Sequence, residues 1–267
     1  MTRALVLATL CVVTAAATCW AQSKASAACG ELVTRYAFAR PTAPAQGEPI
    51  AVVLLPGGGG HLDLDASGCP RALKGNSLGL VTALVDSPSD HTGEDGLAGF
   101  RSASPHADDL GRVIADVRNR ANGLVWLIGT SRGTISAANA ASRLSGPSAP
   151  DGLVLTSAVM TGARSGQKPW VSQTVFDLSL EKIRMPVLVV GHGSDTCART
   201  PAALMPNITA RANGAREQVV TVTGGPGAGA GAQPSVDACQ GRSPHGFVDQ
   251  EGEVAAGIAR FIRGGSY

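Results

Sequence analysis

Short apolar runs alternate along the chain with segments that are apolar on one face only. Runs such as 49–55 and 124–128 are apolar throughout, which is typical of strands buried on both faces of a parallel sheet. On this basis we predict strands at residues 31–40, 49–55, 78–86, 124–128, 152–159, 186–190 and 217–222.

Helices are predicted between these strands. In residues 105–119 the apolar positions recur with the i, i+3, i+4, i+7 spacing of one buried helical face. An alanine-rich segment that ends near residue 144 and residues 251–263 are also predicted to be helical. The alternation predicts a single α/β domain with a mostly parallel sheet flanked by helices. Only residues 160–185 separate two of the strands, which leaves little or no room for a cap domain.

The composition limits the classes of partner. Hydrophobic residues make up 44% of the 267-residue chain, charged residues 16%, and the formal net charge is +2. Lysine and arginine are scattered singly, whereas a nucleic-acid or membrane-surface protein needs a concentrated basic face. We therefore expect no nucleic-acid partner and leave the oligomeric state open; the expectation of a small-molecule substrate comes from the motifs and the resemblance described below.

The N-terminus has the features of a signal peptide. Arg3 supplies a positive charge, residues 4–17 are apolar or small, and small residues precede a cleavage site after Ala21. We predict a cleaved segment 1–21, a lead 22–30 and a domain 31–267, and hence export to the periplasm or medium with no membrane span in the mature chain. Lipidation at Cys19 or Cys29 is a weaker alternative, because neither has a leucine-like residue three positions upstream.

The sequence Gly129-Thr130-Ser131-Arg132-Gly133 predicts a nucleophilic serine. It matches G-x-S-x-G between a predicted strand and a predicted helix, the context that gives this motif its meaning. The serine must lie at a sharp turn, and glycines two residues before and after it prevent collisions with the neighbouring backbone.

A base and an acid are then required, in the chain order serine, acid, histidine. His245 lies between the last predicted strand and the closing helix, whereas His192 directly follows a strand and is interpreted as a structural or pocket-wall residue. Asp195 follows the strand 186–190, and the rival position after strand 152–159 offers no carboxylate before Asp177. We predict Ser131, Asp195 and His245 as the catalytic triad.

Four glycines, Gly57 to Gly60, follow the strand 49–55. Glycines let backbone amides approach a developing negative charge closely. We predict that the amides of Arg132 and of Gly58 or Gly59 form an oxyanion hole. The nucleotide-binding glycine patterns are missing from the sequence.

No metal or other cofactor is predicted. His61, Asp63 and Asp65 alternate beside the glycine run, and two carboxylates follow His106, but neither group has a zinc-ligand spacing.

Four segments together resemble the α/β-hydrolase superfamily. They are residues 54–60, the turn around Ser131, residues 183–191 leading to Asp195, and residues 243–247. The resemblance covers roughly residues 31–265 and implies acyl transfer to water through an acyl-serine, with carboxylic esters as the default substrates. Two features depart from the family: Pro56 stands where many members have histidine, and the segment between the glycine run and the next strand is short.

Removal of residues 1–21 would leave Cys29, Cys69, Cys197 and Cys239. In an oxidising compartment four cysteines allow three disulfide pairings, and the sequence alone does not choose among them. The positions of Cys197 and Cys239 beside the predicted acid and base favour that pair, with Cys29–Cys69 as the remaining pair.

The same triad serves other functions. A peptidase or amidase differs in leaving group and pocket, an acyltransferase needs an acceptor site, and a non-catalytic member binds a ligand without chemistry. The ester hydrolase is the preferred interpretation because all three triad positions are present in order.

Overall fold

The computed structural model describes residues 34–44, 47–60, 62, 77–86, 99–162, 172–226 and 232–267. The predicted signal peptide and the proposed Cys29–Cys69 pair lie outside these residues, so both stay predictions. The domain boundaries also stay predictions.

The described residues contain one seven-stranded sheet with the order β1-β3-β2-β4-β5-β6-β7. The strands are β1 Arg35–Ala39, β2 Ile50–Leu55, β3 Val81–Asp86, β4 Leu124–Thr130, β5 Gly152–Thr156, β6 Val187–His192 and β7 Glu217–Val222. Only β1 is antiparallel to its neighbour, and the other five pairs are parallel.

The strand register brings the ends of four strands level with one another. Leu55 pairs with Gly129, Thr130 with Thr156, and Val190 with Thr156 on its other side. Because parallel strands point their carboxyl ends at the same edge, the loops that follow them meet there. This edge is where a site would be built.

Helices cover both faces of the sheet. The helices are α1 Ser104–Ala121, α2 Gly133–Arg143, α3 Pro206–Thr209 and α4 Glu251–Ile262. Alternate residues of β2 separate the two cores: Ala51 and Val53 pack with α1 and α2, and Ile50 and Val52 belong to the core that includes α4. This alternation follows from the two-residue period of a strand, so the uninterrupted apolar run 49–55 reflects burial on both faces.

β5 is shorter than predicted. It ends at Thr156, not residue 159, because Ser157 has a φ of 45° and leaves the extended conformation. Beyond it, the described residues before β6 include two short 3₁₀ turns, Val175–Asp177 and Leu180–Lys182. None of the helices in the described residues is both long and apolar enough to cross a bilayer.

Candidate active site

Ser131 occupies a sharp turn between β4 and α2. Its φ is 51°, a conformation that costs energy for a residue with a side chain. The surrounding backbone imposes it: the Ser131 amide donates to the carbonyl of Thr156 (2.9 Å), and the Ser131 carbonyl accepts from the Thr134 amide (3.0 Å). The Thr134 hydroxyl donates a second bond of 2.6 Å to the same carbonyl.

The two glycines of the motif are required by the packing of this turn. A Cβ atom at Gly129 would lie 2.5 Å from the carbonyl oxygen of Gly133. A Cβ atom at Gly133 would collide with the carbonyl oxygen of Leu55, at the end of the neighbouring strand β2. The helix can therefore start directly above the strand ends, as the motif predicted.

Asp195 and His245 form a buried pair. Asp195 Oδ2 lies 3.0 Å from His245 Nδ1, and the two side chains are 1% and 5% exposed. Asp195 lies in the loop after β6, where its amide donates to the His192 carbonyl (3.0 Å). Its second oxygen, Oδ1, accepts a 2.8 Å bond from the Cys197 amide. The carboxylate is thus held at both oxygens, with Oδ2 directed at the imidazole.

His245 is placed by a 3₁₀ turn, Pro244–Gly246. The Ser243 hydroxyl caps this turn by accepting from the His245 amide (3.2 Å). On the opposite side, the hydroxyl of Ser157 donates a 2.7 Å bond to the His245 carbonyl. Since Thr156, the neighbour of Ser157, accepts from the Ser131 amide, the backbones of Ser131 and His245 are linked through the end of β5.

The acid loop and the base loop are joined to each other. Ser235 exchanges backbone hydrogen bonds with the acid loop, donating to Thr196 (2.9 Å) and accepting from Ala198 (3.0 Å). Cys197 and Cys239 are at bonding distance, with their Cα atoms 4.6 Å apart. The geometry therefore suits the predicted Cys197–Cys239 pair.

The glycine run after β2 lies directly against the serine. A Cβ atom at Gly57 would lie 2.9 Å from Ser131 Cβ and 3.5 Å from Ser131 Oγ. The run turns back at once, because the Gly60 amide donates to the Gly57 carbonyl (3.1 Å) and Gly58 has a φ of 56°. That φ favours glycine.

Two arginines hold the carbonyl oxygen of Gly58. Arg132 donates to it from Nη1 at 3.3 Å, and Arg101 donates from Nη2 at 3.4 Å. Because a peptide group is planar, these bonds also orient the amide of Gly59. The amides of Gly58, Gly59 and Arg132 stay our predicted oxyanion donors, and all three belong to segments beside Ser131.

Arg101, which contacts the Gly58 carbonyl, belongs to a buried polar cluster with Ser136 and His106. Arg101, 2% exposed, donates to the Ser136 hydroxyl at 3.1 Å, and His106 Nε2 lies 2.9 Å from the same hydroxyl. Burial, with a smaller contribution from the charge of Arg101, lowers the pKa of His106 to about 3. His106 is consequently neutral at physiological pH.

His192 has structural partners on both ring nitrogens. Nδ1 accepts from the Ser194 amide at 3.0 Å, so Nε2 carries the proton and donates to the Gly224 carbonyl (3.1 Å) and to Gln250 Oε1 (3.0 Å). These contacts support the interpretation of His192 as a structural residue.

Asp195, Cys197 and His245 are the described residues that come closest to a metal site, with three potential ligand atoms within 4.8 Å of one another. A disulfide sulfur is not a thiolate and binds metal poorly. When Cys197 is bonded to Cys239, the potential metal ligands of this group are only the Asp195 carboxylate and the His245 imidazole, which already contact each other.

Sequence reasoning missed Thr200, Ser157 and Arg101. Thr200 contacts both Asp195 and His245, Ser157 contacts the His245 backbone, and Arg101 contacts the glycine run. Each lies outside the recognised motifs, and no local sequence signal marks any of the three, since Ser157 falls inside the predicted strand 152–159.

Solved structures with a similar fold include three hydrolases of different kinds. A sugar hydrolase from Lactococcus lactis has a TM-score of 0.58 at 15% identity, over 92% of this chain and 99% of that one. A monoacylglycerol lipase from Paleococcus ferrophilus has a TM-score of 0.52 at 14% identity, over 84% and 97%. A dipeptidyl peptidase 4 from Porphyromonas gingivalis has a TM-score of 0.55 at 13% identity, over 88% of this chain and 34% of that one.

No protein-family model matches the sequence, and no curated protein matches it significantly. At these identities the similarities concern the fold and not the substrate.

Proposed function

Given that this chain has the α/β-hydrolase fold, we propose that it is a serine hydrolase that cleaves carboxylic esters through an acyl-serine intermediate. The observation that carries the proposal is the buried contact of 3.0 Å between Asp195 Oδ2 and His245 Nδ1. It lies at the sheet edge where Ser131 is held in a strained turn. A strained residue at a strand end is typical of functional sites.

In this mechanism Ser131 Oγ attacks the ester carbonyl while His245 Nε2 removes its proton. The amides of Arg132 and of Gly58 or Gly59 stabilise the oxyanion. Collapse of the tetrahedral intermediate breaks the bond to the alcohol, which leaves with the proton from His245. Water then attacks the acyl-serine with His245 again as base, which releases the acid and regenerates the serine. Asp195 keeps the proton of the resting imidazole on Nδ1.

The short segment between β5 and β6 supports a preference for small or solvent-exposed acyl groups. A long acyl chain needs an apolar cover, which other hydrolases build from a cap. Amide cleavage with the same three residues is the main competing activity, and it differs only in the leaving group.

Labelling with a fluorophosphonate tests the proposal, because this probe reacts with activated serines. Intact-mass analysis of the wild type is expected to show one added phosphonyl group, and Ser131→Ala is expected to show none. A panel of matched p-nitrophenyl esters and p-nitroanilides then separates esterase from amidase activity. A folded wild type that stays unlabelled would overturn the proposal in favour of a non-catalytic binding protein.

We also propose that the protein is exported to the periplasm or medium and loses residues 1–21. The support is the charge and the apolar run at the N-terminus. N-terminal sequencing of protein from the extracytoplasmic fraction is expected to start at Gln22. Full-length protein retained in the cytoplasm would contradict the proposal.

A further inference from the structure

Thr200 contacts both members of the acid–base pair. It is 3% exposed and lies in the loop after β6. Its hydroxyl donates a 2.8 Å hydrogen bond to Asp195 Oδ2, and its Oγ1 lies 3.2 Å from His245 Nδ1. The Nδ1–Oδ2 distance is 3.0 Å, so the three polar atoms form a closed triangle.

The donor and acceptor roles within this triangle follow from the proton count. A hydroxyl has one proton to donate, and here it is directed at the carboxylate. The lone pairs of Oγ1 are then available to Nδ1–H, which has two acceptors, Asp195 Oδ2 and Thr200 Oγ1. Such an arrangement favours the tautomer with the proton on Nδ1 and leaves Nε2 free to act as base.

The carboxylate is fixed by the same contacts. Oδ1 accepts from the Cys197 amide at 2.8 Å, and Oδ2 accepts from Thr200 and from the imidazole. The loop itself is closed by the Thr200 amide, which donates to the Cys197 carbonyl at 3.1 Å. A carboxylate held by three donors cannot rotate away without losing at least one of them.

We propose that Thr200 is a positioning residue of the Asp195–His245 pair, and that its hydroxyl sets the orientation and basicity of His245. The inference rests on the proposed function, since it concerns the same base. It assigns the hydroxyl, and not the methyl group, as the part of the side chain that matters.

The test compares Thr200→Val, which keeps the shape and removes the hydroxyl, with Thr200→Ser, which keeps the hydroxyl. Thr161→Val is the matched control, because Thr161 also donates to the acid loop, at the Ala198 carbonyl, but does not contact the triad. The readout is the second-order rate constant of fluorophosphonate labelling between pH 5 and 9. This rate reports on the base without requiring a known substrate.

We expect Thr200→Val to lower the rate about tenfold, the effect of one hydrogen bond to a charged group. Thr200→Ser is expected to recover most of the rate, and Thr161→Val to leave it unchanged. The apparent pKa of the base should move in Thr200→Val alone, because removing a hydrogen bond to either ionised partner changes their proton affinities.

The inference is overturned if Thr200→Val reacts like the wild type with an unmoved pH profile, or if Thr200→Val and Thr161→Val lose activity equally. Should Thr200→Val not fold, Thr200→Ala takes its place in the comparison with Thr200→Ser. His245→Ala separates the two levels of proposal. If His245→Ala is labelled as fast as the wild type, the proposed function is overturned. If His245→Ala is labelled slowly while Thr200→Val is labelled at the wild-type rate, only the role of Thr200 is overturned.

Discussion

The hydroxyl of Ser157 donates a 2.7 Å hydrogen bond to the carbonyl of His245, although the two residues are 88 positions apart. Ser157 is buried and has a φ of 45°. Its amide donates to the Val190 carbonyl at 2.9 Å. Ser157, at the end of β5, is therefore hydrogen-bonded both to β6 and to the loop that carries His245.

Replacing Ser157 with alanine should loosen the base loop. The lost bond leaves a buried carbonyl without this donor, which costs about 1–3 kcal/mol. We expect lower stability and slower fluorophosphonate labelling in the same variant. Ser142→Ala is the control, because it also removes a buried hydroxyl bonded to a carbonyl, that of Asn139 (3.0 Å), but within α2. Equal labelling rates for the two variants would contradict a role of Ser157 in the site.

Asp195→Asn should preserve the shape of the site and remove most of its activity. An asparagine amide directed at Nδ1 favours the wrong imidazole tautomer, and the corresponding change in a serine protease lowers kcat by roughly 10⁴. Labelling kinetics with the purified variant measure the loss. Asp177→Asn is the matched control, because Asp177 accepts from Thr174 in the turn after β5 and does not contact the triad.

Gly133→Ala should destabilise the protein severely, because the new methyl group collides with the carbonyl of Leu55. The expected loss exceeds that of an ordinary overpacked position, about 1–3 kcal/mol. Gly252→Ala provides the comparison, since that exposed helical position has nothing within 4 Å and alanine stabilises helices by about 1 kcal/mol over glycine. Chemical denaturation of both variants gives the two free energies, and similar values would refute the packing argument.

The double variant Cys197→Ser, Cys239→Ser should unfold more easily than the wild type. The two cysteines are 42 positions apart, and closing a loop of that length stabilises a protein by about 4 kcal/mol in the chain-entropy account. Denaturation of the oxidised wild type and the double variant measures the difference. Thiol titration of the denatured wild type is the check, because reactive Cys197 and Cys239 would show that the pair is not formed.

Lowering the pH should reduce the free energy of unfolding, partly through His106. Its pKa is about 3 in the folded protein against an ordinary 6.5, because it is buried beside Arg101. Below pH 6.5 the unfolded chain therefore binds a proton that the folded protein does not, and this contribution to stability is lost progressively as the pH falls toward 3. From pH 7 to pH 5 the loss is about 2 kcal/mol.

This prediction is tested by measuring denaturation curves of the wild type and of His106→Gln at pH 7 and at pH 5. The variant is expected to show a smaller pH dependence, whatever its absolute stability, since the other titrating groups are common to both proteins. If the wild type and His106→Gln lose the same free energy of unfolding between pH 7 and pH 5, His106 must be protonated in the folded state at little cost.

The fold was predictable because its signals are local. The apolar runs predicted the parallel strands, and the glycines of the Ser131 turn predicted a strand-to-helix junction that the structure contains. The α/β class, with a mostly parallel sheet flanked by helices, is confirmed. The early end of β5 was not predicted, because residues 157–159 are as apolar or small as the strand before them and only the backbone angle of Ser157 marks the end.

The polar contacts of the site had no such signal. Ser157 meets His245 and Arg101 meets Gly58 only after the sheet has assembled, and single serines and arginines occur throughout the sequence. The triad residues themselves were predicted from motif and order, and the structure brings Asp195 to His245. Their catalytic roles stay predictions until the labelling experiment is done.

The strand order has a consequence for synthesis of the chain. β1 to β5 are contiguous in the sheet, and they are complete once residue 156 has left the ribosome, whereas β6 and β7 then add one after the other at one edge. The neighbours of the Ser131 turn, which include Gly57, Leu55 and Thr156, are therefore all synthesised before Asp195 and His245. Under the proposed function, Ser131 is therefore expected to lack its base until the C-terminal segment that carries His245 docks, so that partly folded chains should be unreactive during synthesis or export.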